Sequence, residues 1–136
     1  MNLENEKIGV YAVKVKKSTT GKGLFAQEDI PKGVFIIEYF GRELTEEEKY
    51  TSNSKYLFEI NTKKTIDGNI KPNIARYINH SCLPNCEVEI KKGRVLVFSK
   101  RKIKKGEELS YDYGEEYWNE ILKPLGCKCS KCFKKA

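Results

Sequence analysis

Arg76-Tyr77-Ile78-Asn79-His80-Ser81-Cys82-Leu83-Pro84-Asn85-Cys86 decides how the rest of the chain is read. These eleven residues hold the only histidine of the protein and two of its five cysteines. Asn79 carries an amide that donates and accepts at once. Pro84 stiffens the exit, and Asn85 after it suits a turn. Taken alone, the stretch is compatible with a polar turn around a structural cysteine. It gains weight beside a second one, Gly106-Glu107-Glu108-Leu109-Ser110-Tyr111-Asp112-Tyr113-Gly114.

Around them lie 136 residues, enough for one domain with a real core. An apolar content of 39% fits a globular chain and not a disordered one. There is no run of about 18 apolar residues, so no membrane-spanning helix is expected. Met1-Asn2-Leu3-Glu4-Asn5-Glu6-Lys7 lacks the apolar centre of a signal peptide, which points to a reducing compartment, or to export by a route this signal does not show. In a reducing compartment, the crowded Cys127-Lys128-Cys129-Ser130-Lys131-Cys132 reads as metal ligation more readily than as disulfides. Free thiols on a frayed tail are the plainer alternative. The net charge of +7 suggests an acidic partner such as nucleic acid, or simply a solvated surface.

Hydrophobic alternation predicts a first strand over 8–16. Residues 18–23, with Gly21 and Gly23, read as a flexible loop whose glycines permit close backbone approach. A short strand follows over 24–26, then a turn at 31–33 and a largely buried strand over 34–40. Thr45 followed by Glu48 has capping-box spacing, which predicts a short helix near 46–52. Strands are expected over 56–61 and 65–67, and one helical turn over 73–78 after Pro72. Residues 86–90 and 94–100 form a hairpin around Lys91-Lys92-Gly93, with Cys86 a buried strand residue. A strand over 109–113 and a helix over 115–122 complete the reading, the helix with acids at its start where the dipole favours them. Many short strands with frequent turns argue a mainly β fold with a few short helices.

Four segments now stand in order: Gly21-Lys22-Gly23-Leu24-Phe25-Ala26, Glu38-Tyr39-Phe40-Gly41, residues 76–86, and Glu108-Leu109-Ser110-Tyr111-Asp112-Tyr113. A lone Gly-x-Gly is weak, whereas Asn-His-Ser-Cys-x-Pro-Asn-Cys is specific. With all four together the chain closely resembles the SET-domain protein lysine methyltransferases, from about Lys14 to Cys132. The resemblance implies a β-clip of small curled sheets, with the C-terminal segment threaded under a preceding loop as a pseudoknot. Knotted chains are rare, so periodicity alone does not supply this. It implies a SET domain over 1–122, with its core at about 10–114, and a cysteine-rich post-SET tail over 123–136. The 79–80 and 111–113 stretches are expected side by side.

The implied activity is methyl transfer from S-adenosylmethionine to a lysine of a protein substrate, such as a histone tail. The amine must be neutral to attack, although free lysine is charged at pH 7. Desolvation and the neighbouring sulfonium favour the neutral form, and alignment with the methyl contributes roughly 7–11 kcal/mol. Aromatic walls dehydrate the channel, and a tyrosine hydroxyl adds a directed polar contact. By resemblance Tyr113 is the catalytic tyrosine and also touches the cofactor, Tyr39 lines the channel, and Tyr111 sits where the family carries Tyr or Phe. Tyr111 as tyrosine favours mono- or dimethylation. Lys22, Gly23 and Leu24 would face the methionine part of the cofactor. Asn79 and His80 would grip its amino acid and adenine parts, Tyr56 would lie nearby, and Phe133 would cover the adenine or anchor the tail. A general-base role for His80 competes with a mainly backbone one. Arg76 would tie the knot region to a carboxylate such as Asp112.

The resemblance also makes Cys82, Cys127, Cys129 and Cys132 ligands of one structural zinc, although the tail spacing Cys-x-Cys-x2-Cys is shorter than the family's Cys-x-Cys-x4-Cys. Glu46-Glu47-Glu48, and Glu115-Glu116 with Glu120, either flank a groove for a basic peptide or are solvated helix acids. Lysines at 91–92 and over 100–105 are candidates for a secondary nucleic acid contact. A monomer and a homodimer are both compatible with the chain. The compartment is the nucleus or chromatin for a eukaryotic or host-directed protein, and otherwise the cytoplasm. Two other readings stay open, a SET-like module that binds without turnover and a small basic zinc protein.

Overall fold

The computed structural model describes residues 11–18 and 21–112. Tyr113, the expected helix over 115–122, and the tail with Cys127, Cys129, Cys132 and Phe133 lie outside the described residues, as does the threading of the C-terminal segment.

The described chain forms small sheets around one core. β1 (Val13–Ser18) and β2 (Gly21–Ala26) pair antiparallel, with Val13 opposite Ala26 and Ser18 opposite Gly21. Residues 21–23, expected as loop, are therefore the first half of a strand. Glycine is a poor strand former, but the ladder to β1 satisfies its backbone, and Leu24 and Ala26 bury one face of β2 completely. β3 (Phe35–Tyr39) is followed by the two-residue β4 (Arg42–Glu43), and then by α1 (Glu46–Thr51). Thr45 Oγ1 accepts from Glu48 N at 3.2 Å, and the Glu48 carboxylate accepts from Thr45 N at 2.9 Å, which is the expected capping box. The Arg42 guanidinium beside Glu48, with the Thr45 N–H, holds this carboxyl down to about 2.

β5 (Leu57–Asn61) and β6 (Lys64–Asp67) form a hairpin, and β4 adds to the outer edge of β6. A 3-10 turn over Ile74–Tyr77 leads into β7 (Asn79–His80). β8 (Cys86–Lys91) and β9 (Arg94–Ser99) are the predicted hairpin, with β3 on the far side of β9. Buried Ile36, Ile37, Tyr39, Val95 and Val97 make the centre of the core. Cys86 is buried at the start of β8, and burial pushes its thiol up to about 12, so it packs as an inert apolar group.

β10 (Ser110–Tyr111) pairs parallel with β7, Ser110 opposite Asn79 and Tyr111 opposite His80. Thirty residues of sequence separate these partners. The expectation that the two quoted stretches lie side by side holds for 79–80 and 110–111.

Candidate cofactor groove and transfer site

Asn79 joins three parts of the fold. Its Nδ2 donates to the Lys22 carbonyl at 3.0 Å and to Glu108 Oε2 at 2.8 Å. The same Glu108 carboxylate accepts from Ser18 Oγ at 2.8 and 3.0 Å. Gly23 leaves room here: a Cβ on it would overlap the Glu108 carboxylate in this position. The glycine read as loop punctuation thus makes room for a side chain 85 positions on. Glu108 stood in a quoted segment without any assigned role. No local signal separates it from Glu107, which pairs with Arg101 on the surface at 2.9 Å.

Asn85 does more than shape a turn. It is buried, and its carboxamide lies along the extended segment 108–110 that leads into β10, Nδ2 donating to Glu108 O at 2.8 Å and Oδ1 accepting from Ser110 N at 2.9 Å. It imitates the two-way bonding of a neighbouring strand and locks the 81–86 loop onto β10. Asn73, fully buried, does similar work between Gly68 O and Phe40 N.

The His80 ring is enclosed, with 6% of its side chain exposed. Its Nδ1 lies 3.8 Å from Asp112 Oδ1, and its Nε2 lies 3.6 Å from Cys82 Sγ. Burial pulls its pKa below the ordinary histidine value, with Asp112 opposing more weakly. The Tyr39 hydroxyl donates to the Tyr56 carbonyl at 2.6 Å, and its ring tilts against Phe58 at 5.5 Å between centroids. Burial, reinforced by Asp67 and Tyr56, raises its pKa well above the ordinary phenol value, so it remains protonated. Tyr111 is half-buried against the same core.

Arg76 departs from expectation. Its guanidinium donates to the carbonyls of Ile70 at 2.7 Å and Asn73 at 2.9 Å, and to Tyr77 Oη at 2.6 Å, while stacking over the Tyr77 ring at 4.3 Å. The carboxylate expected for it, Asp112, lies beside His80 instead. Arg76 and Tyr77, with Val15, Lys16, Lys17 and Lys22, line an open groove of about 500 Å³. Of the first acidic cluster, Glu46 pairs with Lys49 at 3.2 Å and Glu48 with Arg42 at 2.8 Å. Among the described residues no group of three or more histidine, cysteine, aspartate or glutamate side chains is arranged to hold a metal, and no helix is long and apolar enough to cross a membrane.

Residues 21–114 match the family model described as SET domain. The chain belongs to the SET domain family. The chain is 42% identical over 127 aligned residues to histone-lysine N-methyltransferase trr of Drosophila melanogaster, covering 84% of this chain and 5% of that protein. It is 39% identical over 127 residues to human histone-lysine N-methyltransferase 2D, covering 84% of this chain and 2% of the relative. A histone-lysine N-methyltransferase of Chaetomium globosum described as H3 lysine-4 specific is 43% identical over 120 residues, covering 79% of this chain and 11% of the relative. The chain thus spans between 2% and 11% of the length of these relatives.

Proposed function

We propose that this SET domain is an S-adenosylmethionine-dependent protein-lysine N-methyltransferase acting on a histone or another basic protein, on chromatin where chromatin is present. The observation that carries the reading is the Asn79–His80 strand, hydrogen-bonded in parallel to Ser110–Tyr111 and tied through Asn79 to the rim of the groove. The names of its relatives support the substrate class.

The groove suits the donor. Its volume of about 500 Å³ is in the range of small-ligand sites. Lys16, Lys17, Lys22 and Arg76 supply cations for a carboxylate, and Gly23 and Leu24 continue the strand that borders it. When bound, S-adenosylmethionine supplies an electrophilic methyl group on a sulfonium. Tyr39, Tyr111 and Tyr113 form the channel for the target lysine, whose amine they desolvate and align. Because the Tyr39 hydroxyl is engaged by Tyr56 O, Tyr39 contributes its ring, and directed polar contacts fall to Tyr111 and Tyr113. Tyr56 and His80 shape the cofactor side. The His80 nitrogens both face protein groups, which fits a positioning role better than a general base. Phe133 closes the site from the tail.

Labelled donor incubated with core histones and basic peptides tests the reading. Label on a lysine supports it. Donor binding without transfer to any acceptor would favour a non-catalytic module. With Tyr111 keeping its hydroxyl, the product is mainly monomethyl-lysine. Tyr111→Phe should shift it toward di- and trimethyl-lysine, read as methyl states by mass spectrometry, and mostly trimethyl product from the unaltered chain would refute this.

We also propose one structural zinc held by Cys82, Cys127, Cys129 and Cys132. Cys82 is exposed, unlike Cys86, and so is accessible as a ligand. Elemental analysis should give about one zinc per chain, consistent with a four-thiolate site, and Cys82→Ser should lower the metal content. Zinc-free protein with native stability would remove the site.

A further inference from the structure

The groove is electrostatically one-sided. Lys16, Lys17, Lys22, Lys71 and Arg76 line it, and among the described residues none of them forms an ion pair. Elsewhere Arg42, Lys49, Arg94 and Arg101 are each matched with a carboxylate. Cations around an open cleft raise its potential. That favours the donor's carboxylate but opposes the donor as a whole, since sulfonium and ammonium leave it with a net positive charge. The thioether left after methyl transfer has lost the sulfonium charge and is neutral overall. An uncompensated groove of this kind therefore holds product better than donor.

One carboxylate stands next to the groove lining, joined through Asn79 Nδ2 to the carbonyl of the groove residue Lys22. Glu108 is half-buried and fixed by Ser18 Oγ at 2.8 and 3.0 Å and by Asn79 Nδ2 at 2.8 Å. Ser18 follows the groove residue Lys17, and Gly23 follows Lys22. The absence of a side chain at Gly23 lets the carboxylate lie against this hairpin. These two donors, the Ser18 hydroxyl shared between both oxygens and the Asn79 amide, hold the charge at one place, unlike a solvated glutamate. We propose that Glu108 is the specificity-determining residue that lets this cationic groove accept a sulfonium donor, setting donor affinity relative to that of the neutral product. The inference rests on the methyltransferase reading.

The test is calorimetric binding of S-adenosylmethionine and of its demethylated thioether to the full chain, at low and at high salt. Glu108→Gln keeps the length of the side chain and an acceptor for Ser18 but removes the charge. It should raise the ratio of donor Kd to product Kd by roughly three- to ten-fold at low salt, the scale of one charge in a partly screened site. Glu108→Asp should return the ratio toward the unaltered value, and high salt should shrink the difference. Lys71→Ala, at an exposed position, should move the ratio the opposite way by about two-fold, which keeps the test decisive if the Gln variant folds poorly. A purely structural role would weaken both ligands together and leave the ratio insensitive to charge and salt, overturning the inference alone. If the unaltered chain binds neither ligand, the methyltransferase reading falls with it.

Discussion

Asn79→Ala is expected to lower kcat/KM for methyl transfer by about 100-fold or more while leaving a folded protein. The amide bridges residues 57 positions back and 29 positions on, through Lys22 O and Glu108 Oε2. Alanine removes both bonds. The Lys22 carbonyl is exposed enough to take water, and Glu108 keeps Ser18, so the stability loss is only about 1–2 kcal/mol. That lowers the melting temperature by several degrees. Function suffers more, because the amide aligns the β1–β2 hairpin with the strand carrying Tyr111. A displacement of about 1 Å at a reacting centre costs roughly 100-fold in rate. Cofactor affinity should fall at least ten-fold for the same reason. Calorimetry, melting curves and steady-state rates on one preparation separate these effects. Unchanged affinity and rate would remove Asn79 from the site.

What sequence could and could not show follows from the range of the interactions. The capping box at Thr45 and Glu48, the hairpin around residues 91–93 and the burial of Cys86 rest on neighbours within a few residues, and all are found as read. The failures are long-range. Gly21 and Gly23 carry loop signals, yet both sit in a strand because β1 pairs with them, and at Gly23 the Glu108 carboxylate takes the space of a side chain. The resemblance pairs Arg76 with a carboxylate such as Asp112, but the carbonyls of Ile70 and Asn73, only three to six residues back, take its guanidinium. That residues 79–80 lie beside 111–113 is implied only by resemblance to a family, and the pairing of Asn79 with Ser110 is not implied at all. No periodicity in a two-residue strand announces a parallel partner. Glu108 and Asn85 became visible as parts of the site only when distant segments were brought together.

Asn85→Asp should unfold the protein far more readily than its near-isosteric size suggests. The aspartate keeps the acceptor for Ser110 N, but it places an anionic oxygen where Nδ2 now donates to Glu108 O at 2.8 Å. The position is 3% exposed. An unpaired charge buried there should cost about 3–5 kcal/mol, against about 2 kcal/mol for Asn85→Ala, which only deletes two neutral bonds. Burial raises the new carboxyl's folded pKa above its unfolded value of about 3.9. The folded state then holds more protons than the unfolded one, so stability falls as pH rises from about 3.9 toward the raised folded value. Protonated, the side chain can donate to Glu108 O and recover the lost bond. Urea midpoints should therefore show a large deficit relative to the unaltered chain at neutral pH and a much smaller one near pH 4, with the alanine deficit constant across that range. Because Asn85 holds the 108–110 segment against the 81–86 loop, the neutral-pH deficit should be accompanied by loss of cofactor binding, and equal midpoints for the Asp and Ala variants at every pH would show that the carboxamide nitrogen does not face the Glu108 carbonyl.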